Sequence, residues 1–212
     1  MRAALAVLVA ALAATPGASA YRNPTPGAAL VLQLSGMHRV EARRSGGVEV
    51  YRPRHAHGRL PAVLVGAAGG SGRAVGWSQA IAASGMTAVT GRGPAALAYV
   101  TAHAAALGID PERICALGFA RAAAWQLAAH GLTCNVVYYA PLAAGRLSPR
   151  ITPLLVVKAG RDSSAGAIDR FASAARGVHA DVRVTTYAAG ARGFDVGRPT
   201  PRAKAVVKET LR

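Results

Sequence analysis

RICALGFARAAAWQLAAHG, residues 113–131, is the stretch whose reading decides the fold. An apolar, partly β-branched run (114–117) enters Gly118-Phe119-Ala120-Arg121-Ala122, and alanine-rich sequence of helical character follows at once. A strand that turns sharply into a helix lifts the residue at its tip above the edge of a sheet, so chemistry is sought there first. That residue is Ala120. A methyl group offers no donor, acceptor or nucleophile.

Working outward, PAVLVG (61–66) is a continuous apolar strand of the kind buried on both faces. A glycine-rich loop (67–72) leads to a helix at 75–84, a strand at 86–90 and a helix at 94–107. That last helix has Pro94 at its start and Gly108 just past its end. Beyond the quoted stretch, strands at 135–140, 154–159 and 181–187 alternate with helices at 165–175 and 201–211. Ahead of it, 29–34, 38–42 and 47–51 read as short antiparallel strands. Such alternation predicts an α/β fold, a mainly parallel sheet flanked by helices on both faces. No repeat or long linker interrupts it, so residues 21–212 read as one domain.

Residues 1–20 are a separate object. Arg2 supplies a positive start, an apolar run of about a dozen residues follows, and Ala18-Ser19-Ala20 is a small-x-small cleavage site, the pattern of a secretory signal peptide. The run is shorter than the roughly 20 residues a membrane span needs. The expectation is an exported, periplasmic or secreted protein without integral membrane association. Net charge is +16 with only nine carboxylates, which favours anionic partners. The arginines are scattered, with no basic run or aromatic ladder, so no specific nucleic-acid binding is expected. Export permits a disulfide between the two cysteines, Cys115 and Cys134. Neighbouring parallel strands do not secure the Cα spacing a bridge needs. Two buried free thiols are the expected state, with the bridge left open.

The order and spacing of several pieces resemble the dienelactone-hydrolase-like branch of the α/β-hydrolases: VEVYRP (48–53), LPAVLV (60–65), the glycine-rich loop, and AYVTAHAAALGIDPERICALGF (98–119). VVYYAP (136–141), TPLLVVKAGRD (152–162) and VTTYAAGARGFD (184–195) extend the likeness. In that family a serine on the turn attacks, a histidine takes its proton and an aspartate orients the histidine. Carried over residue by residue, the resemblance puts Ala120 at the nucleophile position, Asp162 at the acid position and Arg192 at the histidine position. Arginine has no lone pair to accept a proton and is not deprotonated in proteins, so Arg192 is no general base. The backbone N–H groups of Ala67 and Arg121 stand where the oxyanion donors would be.

The resemblance therefore implies a pseudoenzyme. Asp162 and Arg192 are expected to pair, by a charge-assisted and bidentate contact. Arg121 and Arg192, with the helix start after Ala120, are candidates for holding a small anionic or ester-like ligand. No metal and no cofactor are implied. Two alternatives stand. One is an active ester or lactone hydrolase with a relocated nucleophile, Ser71, Ser163 or Ser164. None of the six histidines (His38, His55, His57, His103, His130, His179) follows the last strand to serve such a serine. The other is an NADP-binding, Rossmann-type oxidoreductase fragment: residues 63–93 resemble the NADP-binding start of medium-chain quinone reductases, with Arg92 placed for a 2′-phosphate. Neither ligand identity nor oligomeric state is written in the sequence.

Overall fold

The computed structural model describes residues 40–66, 72–143, 145, 147–197 and 200–211. The expected signal peptide, the strand at 29–34, Ala67, Ser71 and His38 lie outside the described residues. The strands are β1 (Val40–Ser45), β2 (Val48–Pro53), β3 (Leu60–Gly66), β4 (Thr87–Thr90), β5 (Ile109–Phe119), β6 (Cys134–Tyr138), β7 (Leu154–Ala159) and β8 (Val182–Tyr187). The α-helices are α1 (Gly72–Ala83), α2 (Gly93–Leu107), α3 (Ala165–Gly177) and α4 (Pro201–Thr210). One eight-stranded sheet runs in the order β1-β2-β4-β3-β5-β6-β7-β8. β1–β2 and β2–β4 are antiparallel, and every pair from β4 to β8 is parallel.

The apolar runs of the central strands have a direct cause in this architecture. Successive side chains of a strand point to opposite faces, and both faces are covered. Val65, Leu117, Tyr138 and Val157 pack on one side with Trp77 and Ile81 of α1 and Val206 and Val207 of α4. Their neighbours Leu64 and Ala116 pack on the other side with Val100 and Ala104 of α2. Val137 and Val156 join that side with Ile168 and Phe171 of α3. Each fully buried Val, Leu, Ile or Phe contributes roughly 1.5–3 kcal/mol. A polar residue at any of these positions would have no solvent face to turn toward. The predicted α/β class, with helices on both faces of a mainly parallel sheet, is the observed one.

Three local readings are corrected. β5 is longer than the run 114–117, beginning at Ile109, with an irregularity in its pairing to β3 between Leu60 and Ala62. The segment after it is a 3₁₀ helix, Ala120–Ala128, and not an α-helix. It has no side-chain cap and no acidic residue in its first turn. Alanine propensity alone does not fix a helix shorter than about 12 residues. Third, Cys115 and Cys134 are disulfide-bonded, against the expected free thiols. Cys134 opens β6 and pairs directly with Cys115, bringing the two Cα atoms to 4.6 Å. That register was the missing fact.

Candidate functional site

In an open α/β sheet, ligands bind beyond the carboxyl ends of the strands where the strand order reverses. Here the reversal falls between β3 and β5, since β3 leads outward to β4 and β5 leads the other way to β6, β7 and β8. The ends of β5, β6, β7 and β8 therefore build the candidate site.

β5 ends in a strained turn. Ala120 has φ +50°, the left-handed region that a non-glycine residue enters only at a cost of order 1–3 kcal/mol. Two residues earlier the chain needs glycine: a Cβ on Gly118 would lie 2.8 Å from Ala123 Cα and 2.6 Å from Gln126 Nε2. The strand thus folds back sharply over itself, and the partly exposed tip carries only a methyl group. The neighbouring strand repeats the device. Tyr139, one residue past β6, has φ +52° and is fully buried. Phe119 and Tyr138 are paired across the two strands, so both strained residues stand side by side at the sheet edge.

After β7 the chain places Asp162 in the loop before α3. Its carboxylate is almost wholly buried and takes four donors. Arg192 gives Nε to Oδ2 at 2.6 Å and Nη2 to Oδ1 at 3.0 Å, the bidentate arrangement expected from sequence. The Ser164 backbone N–H donates to Oδ1 at 2.8 Å, and the Ser164 hydroxyl donates to the same oxygen. Arg192's hydrogen bond is the main reason the Asp162 carboxyl is held down at about 2, with the Ser164 donors adding to it. The same bond raises the pKa of Arg192, whose side chain is 47% exposed.

The loop after β8 holds a second carboxylate that sequence reading missed. Asp195 is completely buried. Trp77 Nε1 donates to its Oδ2 at 2.9 Å, and the Tyr139 hydroxyl donates to its Oδ1. Burial first, and then the Asp195 charge, push the Tyr139 phenol far above its ordinary range, so it is a fixed donor and no nucleophile. Arg73, in the first turn of α1, brings Nε to 3.3 Å from Asp195 Oδ2. That nitrogen is buried but off the axis a hydrogen bond requires. The Arg73 guanidinium lies over the Phe119 ring at 5.1 Å and the Tyr139 ring at 6.0 Å. Phe194 packs edge-on against Tyr139 and Tyr187 beside it. A signal existed: a buried Trp or Tyr needs a partner for its polar atom, and an aspartate next to Phe194 can supply one.

The other sequence candidates are placed as follows. Arg121 is exposed at the start of the 3₁₀ helix, with no side-chain hydrogen bond or ion pair among the described residues. Ser163 is exposed, while Ser164 is buried with its hydroxyl committed to Asp162. His103 stacks on Tyr99 within α2, and His55, His57, His130 and His179 are exposed. None hydrogen-bonds to Asp162 or Asp195. Among the described residues no cluster of His, Cys, Asp and Glu could hold a metal ion, and no helix is long and apolar enough to cross a membrane.

A sharp strand–turn–3₁₀ junction at the switch point of a 1-2-4-3-5-6-7-8 sheet, mostly parallel and covered by helices, matches an α/β-hydrolase-like fold. Comparison with solved structures agrees. The chain is similar to a bacterial heroin esterase (TM-score 0.69, 16% identity, covering 86% of this chain and 86% of that one). It is also similar to Thermogutta terrifontis esterase 2 (TM-score 0.66, 16% identity, 82% and 94%). A third likeness is to a structure from work on two Rhizomucor miehei esterases (TM-score 0.66, 14% identity, 85% and 88%). No protein-family model and no curated protein sequence matches the chain.

Proposed function

We propose that this is an exported pseudoenzyme of the dienelactone-hydrolase-like kind, and that its site binds a small anionic or ester-like ligand without turning it over. The observation that carries the reading is the pair at Asp162. A guanidinium occupies both carboxylate oxygens where a catalytic acid would orient an imidazole. A bidentate arginine leaves that carboxylate no task beyond holding the arginine. The tip of the turn supports the same reading, because Ala120 retains a strained conformation but has no atom to donate to a carbonyl.

Ser164, the buried relocation candidate, spends its hydroxyl on Asp162, and no histidine hydrogen-bonds to it among the described residues. The similar solved structures are esterases, and this leads us to an ester or the carboxylate an ester releases as the ligand class. The test is a panel of p-nitrophenyl esters together with ligand-observed NMR of small carboxylates on the purified protein. The reading expects binding and hydrolysis at background. Enzymes stripped of triad members keep about 10³–10⁴ over water, so the assay must resolve that level. Turnover clearly above it overturns the proposal.

A further inference from the structure

We infer that Arg73 is the main anion-contacting group of this site, and that the anion it takes is a monocarboxylate. The inference rests on the binding role proposed above and adds a residue and a ligand class to it. Arg121 and Arg192 were the candidates from sequence. Arg192 has already used Nε and Nη2, one carboxylate-matching edge of its fork, on Asp162. Arg121 is exposed and held by nothing described. Arg73 differs from both.

Its guanidinium is fixed with Nε turned inward to Asp195, while its Nη groups donate no hydrogen bond among the described residues. Asp195 attracts it from 3.3 Å, yet both Asp195 oxygens take their aligned hydrogen bonds from Trp77 and Tyr139. The rings of Phe119 and Tyr139 support the guanidinium. Among the described residues Arg73 donates no hydrogen bond, although an arginine has five N–H donors in a planar fork. A quarter of the side chain is exposed, although Nε is buried. The loop that carries Arg192 passes close by: Gly193 has φ +85°, and a Cβ there would sit 3.3 Å from Arg73 Nη2, so the guanidinium needs glycine at this point of the loop.

Charge selects the ligand class. Asp162 and Asp195 balance Arg192 and Arg73, so a dianionic phosphate would meet a fully buried carboxylate directly behind the guanidinium. A planar monoanion matches the fork bidentately and brings half that repulsion.

The experiment titrates benzoate, and separately inorganic phosphate, into the purified protein and into Arg73→Lys, Arg73→Gln and Arg192→Gln, by calorimetry. Arg73→Lys keeps the charge that Asp195 requires but removes the fork, so it reports even if Arg73→Gln does not fold. The expected result is benzoate binding that weakens at least tenfold in Arg73→Lys and less in Arg192→Gln, with phosphate weaker than benzoate throughout. Benzoate binding unchanged in Arg73→Lys, or lost equally in Arg192→Gln, overturns the role of Arg73 and leaves the binding role standing. Phosphate bound tighter than benzoate overturns the ligand class. Binding of neither anion by the unaltered protein overturns both readings.

Discussion

Two aspartate–arginine pairs lie at the same sheet edge and are built in opposite ways. Asp162–Arg192 is a hydrogen-bonded fork whose arginine is half in water. Asp195–Arg73 is an unaligned ion pair whose carboxylate is sealed from water and satisfied by an indole and a phenol. The difference teaches where the stability and the free chemistry reside. A buried carboxylate depends on every donor around it, because removing partners leaves a charge or a polar atom with no solvent to turn to. A half-exposed pair can let water replace its partner. The first pair commits its arginine to two hydrogen bonds, and the second holds its arginine by charge alone.

The largest effect should come from breaking the sealed pair. Asp195→Ala orphans Trp77 Nε1, the Tyr139 hydroxyl and the Arg73 charge together, and should cost about 3–5 kcal/mol in urea unfolding. A loss below about 1 kcal/mol would mean that Asp195 is not sealed. Next, reducing the Cys115–Cys134 bridge, which spans 19 residues and encloses the strained turn at Ala120, should lower stability by about 3 kcal/mol. Urea midpoints with and without reductant measure it, and coincident curves would contradict the bridge.

Arg192→Ala should be milder than Asp195→Ala, about 1–2 kcal/mol, between an exposed pair and a buried one. Its double-mutant cycle with Asp162→Ala should be clearly non-additive, and an additive cycle would break the pairing. The smallest effect is the pH dependence of that pair. The folded carboxyl sits at about 2, below the ordinary value near 3.9, so its contribution is complete above about pH 4 and is lost as pH falls through 2. With Arg192 half exposed, the change is about 1 kcal/mol after solvent screening. Acid titration of stability should therefore converge for the unaltered protein and Arg192→Ala as pH drops from 5 to 2. Parallel curves would place the stabilisation of Asp162 elsewhere.

These two pairs also mark what could be read from the chain alone. Strands such as 61–66 were legible because a sheet covered on both faces demands apolar side chains in both directions. Asp162 and Arg192 were legible because each follows a strand at a fixed place in a known pattern. Asp195 was not, since its donors Trp77 and Tyr139 lie 118 and 56 residues away and meet it only after the sheet has formed. Arg73 was one of 25 lysines and arginines, distinguished only by the rings beneath it. The disulfide hinged on the register of Cys115 with Cys134, which two neighbouring strands do not dictate in advance. The 3₁₀ helix was hidden by alanine, whose helical preference says nothing about which helix.

We propose that the strained turn at Ala120 still presents its tip and that a nucleophile and a base are what it lacks. Fluorophosphonate labelling followed by peptide mapping tests this most directly, on the unaltered protein, on Ala120→Ser, and on Ala120→Ser with Arg192→His. Nucleophile and base act as one unit. Labelling should therefore be absent in the unaltered protein, weak in the single variant and clear at position 120 in the double variant. Stoichiometric labelling of the unaltered protein at Ser71, Ser163 or Ser164 would contradict the account, and an unreactive but folded double variant would show that the turn itself no longer presents its tip.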